Sequence, residues 1–293
     1  MKHTKVARGA SAAGAAHAAT GRLKELRSCD DTELDLAMAA LDIACISPGT
    51  GQRQKTIDPY VRHLDILAKD VGVFAGRQPD VETAAHALGQ ILGKRYGYGG
   101  NEDTYDDLTA ANLMAVIDDR AGLPVALGIL YIHSARAQGW LASGIDFPGR
   151  FMVRIEIDGE RAILNPFDGG AVMQTHDLRD VLKLTMGNDV ELAPEHYREL
   201  GNRGILMRLE NNLKVRHLHA QEFDAALRVI DTMLLFSPAE ASLWREAGMI
   251  HVRLEQIDEA ITALEEYLRL DTDGPSRYTA TVLLQELRQR PPQ

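Results

Sequence analysis

Residues 147–170 read FPGRFMVRIEIDGERAILNPFDGG, and this stretch decides how the middle of the chain folds. Apolar residues alternate with polar ones from Phe151 to Ile157, which is the period of a half-buried β-strand. Asp158–Gly159 separates this run from a second one, and Asp-Gly between two such runs is a strong hairpin signal. The sequence therefore predicts an antiparallel hairpin.

The hairpin determines which residues lie opposite each other. If Asp158–Gly159 is a two-residue turn, Met152 faces Asn165. Arg150 precedes Met152 by two residues and shares its face, so Arg150 and Asn165 are diagonal neighbours with Cα atoms roughly 7–8 Å apart. We therefore expect these two side chains to reach a common site.

The segments before the hairpin predict helices. Residues 125–138 are apolar almost all round, as in a helix buried on every side, and Pro124 suits its first turn. Apolar residues also recur at helical spacing from Asp31 to about Gly93, with Asp30 and Asp31 as N-caps of the first helix. A further helix is expected over Asp107–Asp118.

The last third of the chain is internally repetitive. Ala226 and Ala260 stand 34 residues apart in similar settings, and a 34-residue period of paired helices is typical of tetratricopeptide repeats. Trp244 and Gly248 fall at usual positions of that repeat. Two units and a trailing helix at 276–290 are too few to stand alone, so we expect them to pack on the preceding domain.

Charge limits the partners of the chain. A net charge of −10 over 293 residues repels phosphate backbones and anionic membranes, which argues against nucleic-acid and membrane binding. Residues 1–28 are rich in small residues with a basic excess, and we expect a disordered basic tail there; a transit peptide is the alternative.

The cysteines and acidic loops indicate neither a metal nor a cofactor. Cys29 and Cys45 lack metal-binding or disulfide spacing, and a reducing cytoplasm fits them best. The acidic stretch at 101–107 lacks the oxygen-ligand spacing of a calcium loop. We therefore expect no cofactor and no metal.

Three ordered blocks of sequence resemble the SirB family of bacterial proteins. These blocks are DRAGLPVAL at 119–127, FPGRF at 147–151 and LNPF at 164–167 followed by Gly169–Gly170. The resemblance implies an α+β fold: a mostly helical transglutaminase-like (papain-like) core with a small antiparallel sheet, then an α-helical tetratricopeptide tail. It implies three parts: the tail at 1–28, a transglutaminase-like domain at 29–200, and helical repeats at 201–293.

The resemblance also implies where catalytic residues would stand. Transglutaminase-like enzymes use Cys, His and Asp, and these positions fall on Pro124, Arg150 and Asn165. SirB proteins typically carry Pro, His and Asp there, and Ser or Thr where this chain has Ala126. The chain thus departs from the enzymes at all three positions and from SirB proteins at two.

Chemistry at these positions argues against catalysis. Proline and alanine carry no nucleophile, the guanidinium of Arg150 stays protonated at neutral pH, and the amide of Asn165 cannot stabilise an imidazolium by charge. We therefore expect no catalytic residues and a core that has lost its enzymatic activity.

The altered cleft can still serve as a binding site. A helix N-terminus at Pro124 together with Arg150 and Asn165 forms a cradle suited to a carboxylate or phosphate, such as an acidic peptide end. The alternative, which stays open on sequence alone, is that Arg150 pairs with Asp146 or Asp168 at the surface.

A second candidate site is the concave face of the repeats. In tetratricopeptide units the first helix lines the groove, and the resemblance places its inward positions at Arg208, Asn211, Val215, Ser242, Arg245 and Met249. We expect a protein or peptide partner there. The alternative is that this face packs against the core domain and leaves no open groove.

These observations favour a protein-interaction or regulatory adaptor. One rival is a hydrolase or acyltransferase that uses Cys29 or Cys45 in an atypical site. Another rival is a purely structural subunit of a larger assembly.

Overall fold

A computed structural model describes residues 12–47, 56–105 and 107–289. These residues form two compact units. The first unit holds the described parts of Met1–Leu23 and Cys29–Leu209, and the second holds Lys24–Ser28 and the described part of Glu210–Gln293. In the described residues many helices accompany one small antiparallel sheet, which confirms the predicted α+β fold.

The first helix, α1 (Ala12–Glu25), lies where composition predicts disorder. Alanine has the highest helix propensity and dominates this segment. Leu23 is fully buried, and Nε of Arg22 donates to Oδ2 of Asp42 at 2.9 Å. The structure therefore differs from the prediction over residues 12–28, whereas residues 1–11 lie outside the described part.

The N-cap prediction for the next helix is wrong. Helix α2 (Leu36–Ile46) is capped by Asp35, whose Oδ1 accepts from the backbone N of Met38 at 3.1 Å. Asp31 instead caps a helix far along the chain, since its carboxylate accepts from the backbone N of Asn202 and of Arg203, each at 2.7 Å. An aspartate can cap any helix that starts within its reach, and sequence adjacency does not decide which one.

Three helices follow before the sheet is approached. These are α3 (Asp58–Ala75), with Pro59 in its first turn, α4 (Val81–Leu88), which continues as a π-helical turn at Gly89–Arg95, and α5 (Leu113–Asp119). The single helix predicted over Asp107–Asp118 is wrong, because a 3₁₀ turn at Leu108–Ala111 ends at Asn112. The side chain of Asn112 then caps α5 by accepting from the next backbone N–H groups.

Helix α6 (Pro124–Arg136) is the buried helix that the sequence predicts. Ten of its residues are buried, including Ala126, Leu127, Leu130 and Tyr131. Pro124 occupies its first turn, where a missing N–H costs no hydrogen bond. The helix contacts α2, α3, α4 and α5 as well as the first two strands, which explains why no side of it is polar.

Five antiparallel strands form the sheet, in the order β4-β3-β2-β1-β5. They are β1 (Leu141–Phe147), β2 (Arg150–Ile157), β3 (Glu160–Asn165), β4 (Ala171–Val172) and β5 (Glu199–Leu200). Helix α7 (Thr175–Met186) lies between β4 and β5 in the chain. The hairpin of β2 and β3 is confirmed in its predicted register, with Ile157 opposite Glu160 and Val153 opposite Leu164.

The turn of this hairpin has the geometry that its sequence predicts. Asp158 has φ 50° and Gly159 has φ 84°. Positive φ at both central residues defines a type I′ turn, whose twist matches that of the flanking strands. Asp-Gly is favoured in this turn because both residues tolerate the left-handed region better than others do.

The two faces of the sheet carry different helices. Phe151 and Val153 of β2 approach α6, where Gly128 leaves room for their side chains. Met152, on the opposite face, packs with Ile145 and Phe147 against Leu178, Val181 and Leu182 of α7. Successive strand residues point to opposite faces, so the side chain of Arg150 belongs to the α7 face.

The second unit consists mainly of paired helices, as the repeat predicts. They are α8 (Asn202–His219), within which the boundary of the two units falls, α9 (Phe223–Phe236), α10 (Ala241–Arg253), α11 (Ile257–Leu270) and α12 (Arg277–Gln289). Ala226 and Ala260, the residues that revealed the period, are both fully buried. Among the described residues no helix is both long and apolar enough to span a bilayer.

Replacing Gly128 tests the contact between α6 and the sheet. An ideal Cβ at this position would lie 2.3 Å from Cε1 of Phe151, whose ring is 1 % exposed and has no room to withdraw. We expect Gly128→Ala to lower the free energy of unfolding by about 1–3 kcal/mol, measured by urea denaturation.

Gly21→Ala is the matched control, because Gly21 is also inside a helix and has no atom within 4 Å of an added Cβ. Alanine should leave the stability unchanged or raise it by up to about 1 kcal/mol. Equal stability of the two variants would contradict the proposed close approach.

Candidate functional site

The first candidate position, Pro124, starts α6 and has a purely structural setting. The backbone N of Leu123, the N-cap, donates to the carbonyl of Ala110 at 2.9 Å. Ala126, on the same first turn, is fully buried. Neither side chain carries a nucleophilic atom, so this helix start offers only backbone groups for chemistry.

Arg150 and Asn165 lie at the ends of neighbouring strands. The β2–β3 ladder includes Val153 opposite Leu164, and one further step of the same register brings Met152 opposite Asn165. Arg150 and Asn165 are therefore diagonal neighbours on the α7 face of the sheet. The structure brings these two positions together.

Pro124 belongs to α6, which packs on the face of the sheet opposite to α7. Backbone bonds nevertheless connect the segments around these positions: Gly99 N donates to Arg120 O at 3.2 Å, and Gly100 N donates to Phe167 O at 2.9 Å. The turn before Pro124 and the turn after Asn165 thus flank the same two glycines. Helix α6 and the side chain of Arg150, however, lie on different faces of the sheet.

Asn165 has a local structural task. It is 3 % exposed, and its Oδ1 accepts from the backbone N of Phe167 at 3.3 Å, which caps a 3₁₀ turn at Pro166–Asp168. Its backbone carbonyl accepts from Gly170 at 2.9 Å. Asparagine is well suited to this task because its side chain imitates a backbone carbonyl at the start of a turn.

The suggested partnership of Arg150 with Asp146 is not what the structure has. Asp146 lies opposite Phe151 in the β1–β2 ladder and therefore on the α6 face. Its carboxylate forms an ion pair with Arg208 of α8. This contact also engages the guanidinium of Arg208, a residue predicted to lie on the concave face of the repeats.

A polar cluster of His63, Tyr98 and Arg120 was not predicted from the sequence. His63 Nε2 lies 2.7 Å from the hydroxyl of Tyr98 and 2.7 Å from Nη1 of Arg120, and Arg120 also donates to Tyr98. The guanidinium stacks on the ring of Tyr98, with Cζ 4.8 Å from the centroid. No spacing signal predicts this cluster, because its members lie 22 to 57 residues apart in sequence.

Burial shifts the pKa values of Tyr98 and His63 in this cluster. Burial is the main cause that raises the pKa of Tyr98 to about 12, so the phenol stays protonated at neutral pH. Burial, and then the positive charge of Arg120, lowers the pKa of His63. Arg120 has φ 60°, an uncommon conformation for arginine, and this places its side chain against both partners.

The repeats enclose a groove that we call the repeat groove. It has a volume of about 540 Å³ and lies wholly within the second unit. Its lining includes Arg245 and Met249, two of the predicted residues. Asn211, Val215 and Ser242 are not among its lining residues, and the hydroxyl of Ser242 donates to Glu240 at 2.7 Å.

Other lining residues were not predicted. They are Leu218, Phe223, Glu246, Ile250, Arg253, Leu264, Ser276, Thr279, Ala280 and Leu283. Arg253 follows Met249 by one helical turn, so the same spacing rule, extended by four residues, would have found it.

Comparison with known proteins agrees with this architecture. The sequence matches the transglutaminase-like superfamily over residues 58–211 and the tetratricopeptide repeat over residues 213–285. The chain belongs to the transglutaminase-like superfamily.

Relatives resemble this transglutaminase-like protein over most of their length. A UPF0162 protein of Xylella fastidiosa is 29% identical over 251 residues, which are 84% of this chain and 87% of the relative. A UPF0162 protein of Vibrio cholerae is 28% identical over 250 residues, covering 83% and 92%. Protein SirB1 of Salmonella typhimurium is 29% identical over 258 residues, covering 84% and 87%. The resemblance to SirB proteins is therefore confirmed.

The two thiols of this transglutaminase-like protein belong to segments that precede the β2–β3 hairpin in the chain. Cys45 is 1 % exposed within α2, and burial is the main cause that raises the pKa of its thiol. Cys29 is partly exposed, and its Sγ lies 3.3 Å from the carbonyl of Asp30. A raised pKa keeps a thiol protonated and unreactive, so Cys45 has the properties of a structural residue.

Glu210 of α8 is a buried carboxyl group that sequence analysis did not single out. It is 1 % exposed, and its Oε2 has no hydrogen-bond partner among the described residues. Burial raises the pKa of its carboxyl from the ordinary value of 4.5 to about 8. In the native state the carboxyl group of Glu210 is therefore mostly protonated at neutral pH.

Glu210 should make stability depend on pH. Because the folded pKa is the higher one, the cost of ionising Glu210 is absent below about pH 4.5, grows as the pH rises, and is complete above about pH 8. We expect Glu210→Gln to raise the free energy of unfolding at pH 8.5 and to change it little at pH 4, measured by urea denaturation. Glu286→Gln, at an exposed position of α12, is the control, and an equal effect of Glu210→Gln at both pH values would contradict this assignment.

Proposed function

We propose that this protein is a non-catalytic member of the transglutaminase-like superfamily that binds a protein or peptide partner in its repeat groove. The supporting observation is the groove, whose lining is mostly apolar and includes Arg245 and Arg253. Apolar concave surfaces with a few polar groups are where proteins bind ligands. Met249, one of the lining residues, is 50 % exposed, so its side chain is accessible to a partner.

The residues at the former catalytic positions support the loss of chemistry. Pro124 and Ala126 provide no nucleophile, and Asn165 is committed to capping a turn. Arg150 cannot accept a proton at neutral pH, so no base stands where a thiol would need one. A reducing compartment such as the cytoplasm is part of this proposal, because Cys29 and Cys45 are both free thiols.

Absence of acyl transfer is the first test. The purified full-length protein should incorporate no fluorescent amine into a glutamine-containing protein and should cleave no peptide amide above the buffer rate. Alkylating the partly exposed Cys29 with iodoacetamide, and replacing the buried Cys45 by alanine, should change neither result. Steady turnover that alkylation abolishes would contradict the proposal and favour a thiol-dependent enzyme.

Peptide binding in the groove is the second test. The full-length protein should select binders from a library of random twelve-residue peptides displayed on phage. Met249→Arg places a long charged side chain in the groove and should weaken these peptides at least tenfold, measured by fluorescence anisotropy.

Met186→Arg provides a matched control, since Met186 ends α7 outside the groove and is 51 % exposed. This variant should bind the selected peptides as well as the wild type does. Failure to select any peptide, or equal binding to the Met249→Arg variant, would contradict a role of the groove.

A further inference from the structure

One side of α10 carries a regular stripe along the repeat groove. Arg245, Met249 and Arg253 follow each other at four-residue steps, so they project from the same side of the helix. At 1.5 Å per residue, each step advances about 6 Å, and the two arginines stand about 12 Å apart along the axis. The stripe thus reads cation, apolar, cation.

Each arginine is held by a neutral partner. Nη1 of Arg245 donates to the hydroxyl of Ser276 at 2.5 Å, and Cζ of Arg253 lies 5.3 Å from the ring centroid of Phe223. Within the residues that the structure describes, neither guanidinium contacts a carboxylate. Both therefore keep N–H groups available for a ligand, because a guanidinium has five donors.

The acidic lining residue does not cancel this charge. Glu246 forms an ion pair with Lys214, whose Nζ lies 2.5 Å from its carboxylate. Lys214 does not line the groove itself, but once it is counted with Glu246 the two arginines leave an excess of two positive charges, on a chain whose net charge is −10. A local field of this sign favours an anionic ligand.

The apolar residues that line the groove favour a ligand that also carries an apolar group. Leu218, Ile250 and Leu283 line the groove together with the half-exposed Met249. A small inorganic anion would satisfy the guanidinium groups but leave this surface in water. A ligand that carries an apolar group between two anionic groups would satisfy both.

We propose that the repeat groove binds an extended peptide segment in which two acidic residues flank an apolar residue. One residue of any type separates the apolar residue from each acidic residue. This proposal rests on the proposed function. In an extended chain, residues two apart share a face and lie about 6.6 Å apart. Their spacing matches the step of the stripe on α10. The pattern is thus acidic, any residue, apolar, any residue, acidic, with the carboxylates on Arg245 and Arg253 and the apolar side chain on Met249.

The test uses the peptides selected from the random twelve-residue library by the full-length wild-type protein. The selected sequences should be enriched in two acidic residues four positions apart with an apolar residue midway. Changing either acidic residue of a synthetic, end-blocked version to its amide should weaken binding about tenfold, as expected for a lost charge-assisted hydrogen bond.

Double-mutant cycles, in which one arginine of the protein and one acidic residue of the peptide are changed together, then show which arginine contacts which carboxylate. Arg245→Gln and Arg253→Gln should each weaken the acidic peptide about tenfold, and each should have little further effect once the matching peptide carboxylate is an amide. Arg228→Gln, an equal charge change at an exposed position of α9, should leave the affinity unchanged. Circular dichroism of each variant verifies that it is folded.

Two different failures can be told apart. If the selected peptides lack the acidic pair, or if neither Arg245→Gln nor Arg253→Gln weakens them, the acidic pattern is overturned. When Met249→Arg still abolishes binding in that case, the groove remains the binding site and the proposed function stands. If Met249→Arg has no effect, both proposals fall together.

Discussion

The close approach of α6 to the sheet is the constraint on which the first unit depends. Gly128 of α6 and Gly144 of β1 both lie against the ring of Phe151, where a Cβ would come within 2.3 Å and 2.5 Å. The two glycines leave the space that this buried ring fills, and close packing of this kind tolerates little change in volume. Because helices cover the other sides of α6, its position fixes where its first residue, Pro124, stands relative to the strand that begins at Arg150.

The residues that the family resemblance places at or near catalytic positions meet backbone and packing requirements of the same fold. Proline at the first turn of α6 has its φ already set for a helix, and asparagine at Asn165 caps the turn that follows β3. Ala126 fits a site with no exposure to solvent. The start of α6 and the turn after β3 are therefore stabilised by the backbone geometry of Pro124 and the capping side chain of Asn165.

The elements that the sequence predicted correctly are specified by residues within their own segments. The features that it did not predict depend on contacts with residues far away in the sequence. The β2–β3 hairpin follows from alternation and an Asp-Gly turn within 16 residues, and α6 from a continuous apolar run, so each could be read from its own segment. Strands β4 and β5 are two residues long, and only their partners make them strands. β1 escaped notice because Gly144 interrupts its pattern. Asp31 was assigned to the wrong helix because its partners, Asn202 and Arg203, lie more than 170 residues away.

The second unit contains an ion pair with a buried lysine and two arginines that have no carboxylate partner among the described residues. Lys214 and Glu246 pair where the lysine side chain is only 7 % exposed, and a buried pair of this kind adds little net stability once its desolvation is counted. Its larger effect is on the groove, because without Lys214 the carboxylate of Glu246 would stand uncompensated beside Arg245 and would attract that guanidinium. Arg245 is partly exposed and Arg253 is exposed, so water can solvate both charges, and within the described residues neither guanidinium contacts a carboxylate. The size of the positive charge at the repeat groove, though not its sign, therefore depends on a lysine whose side chain is only 7 % exposed.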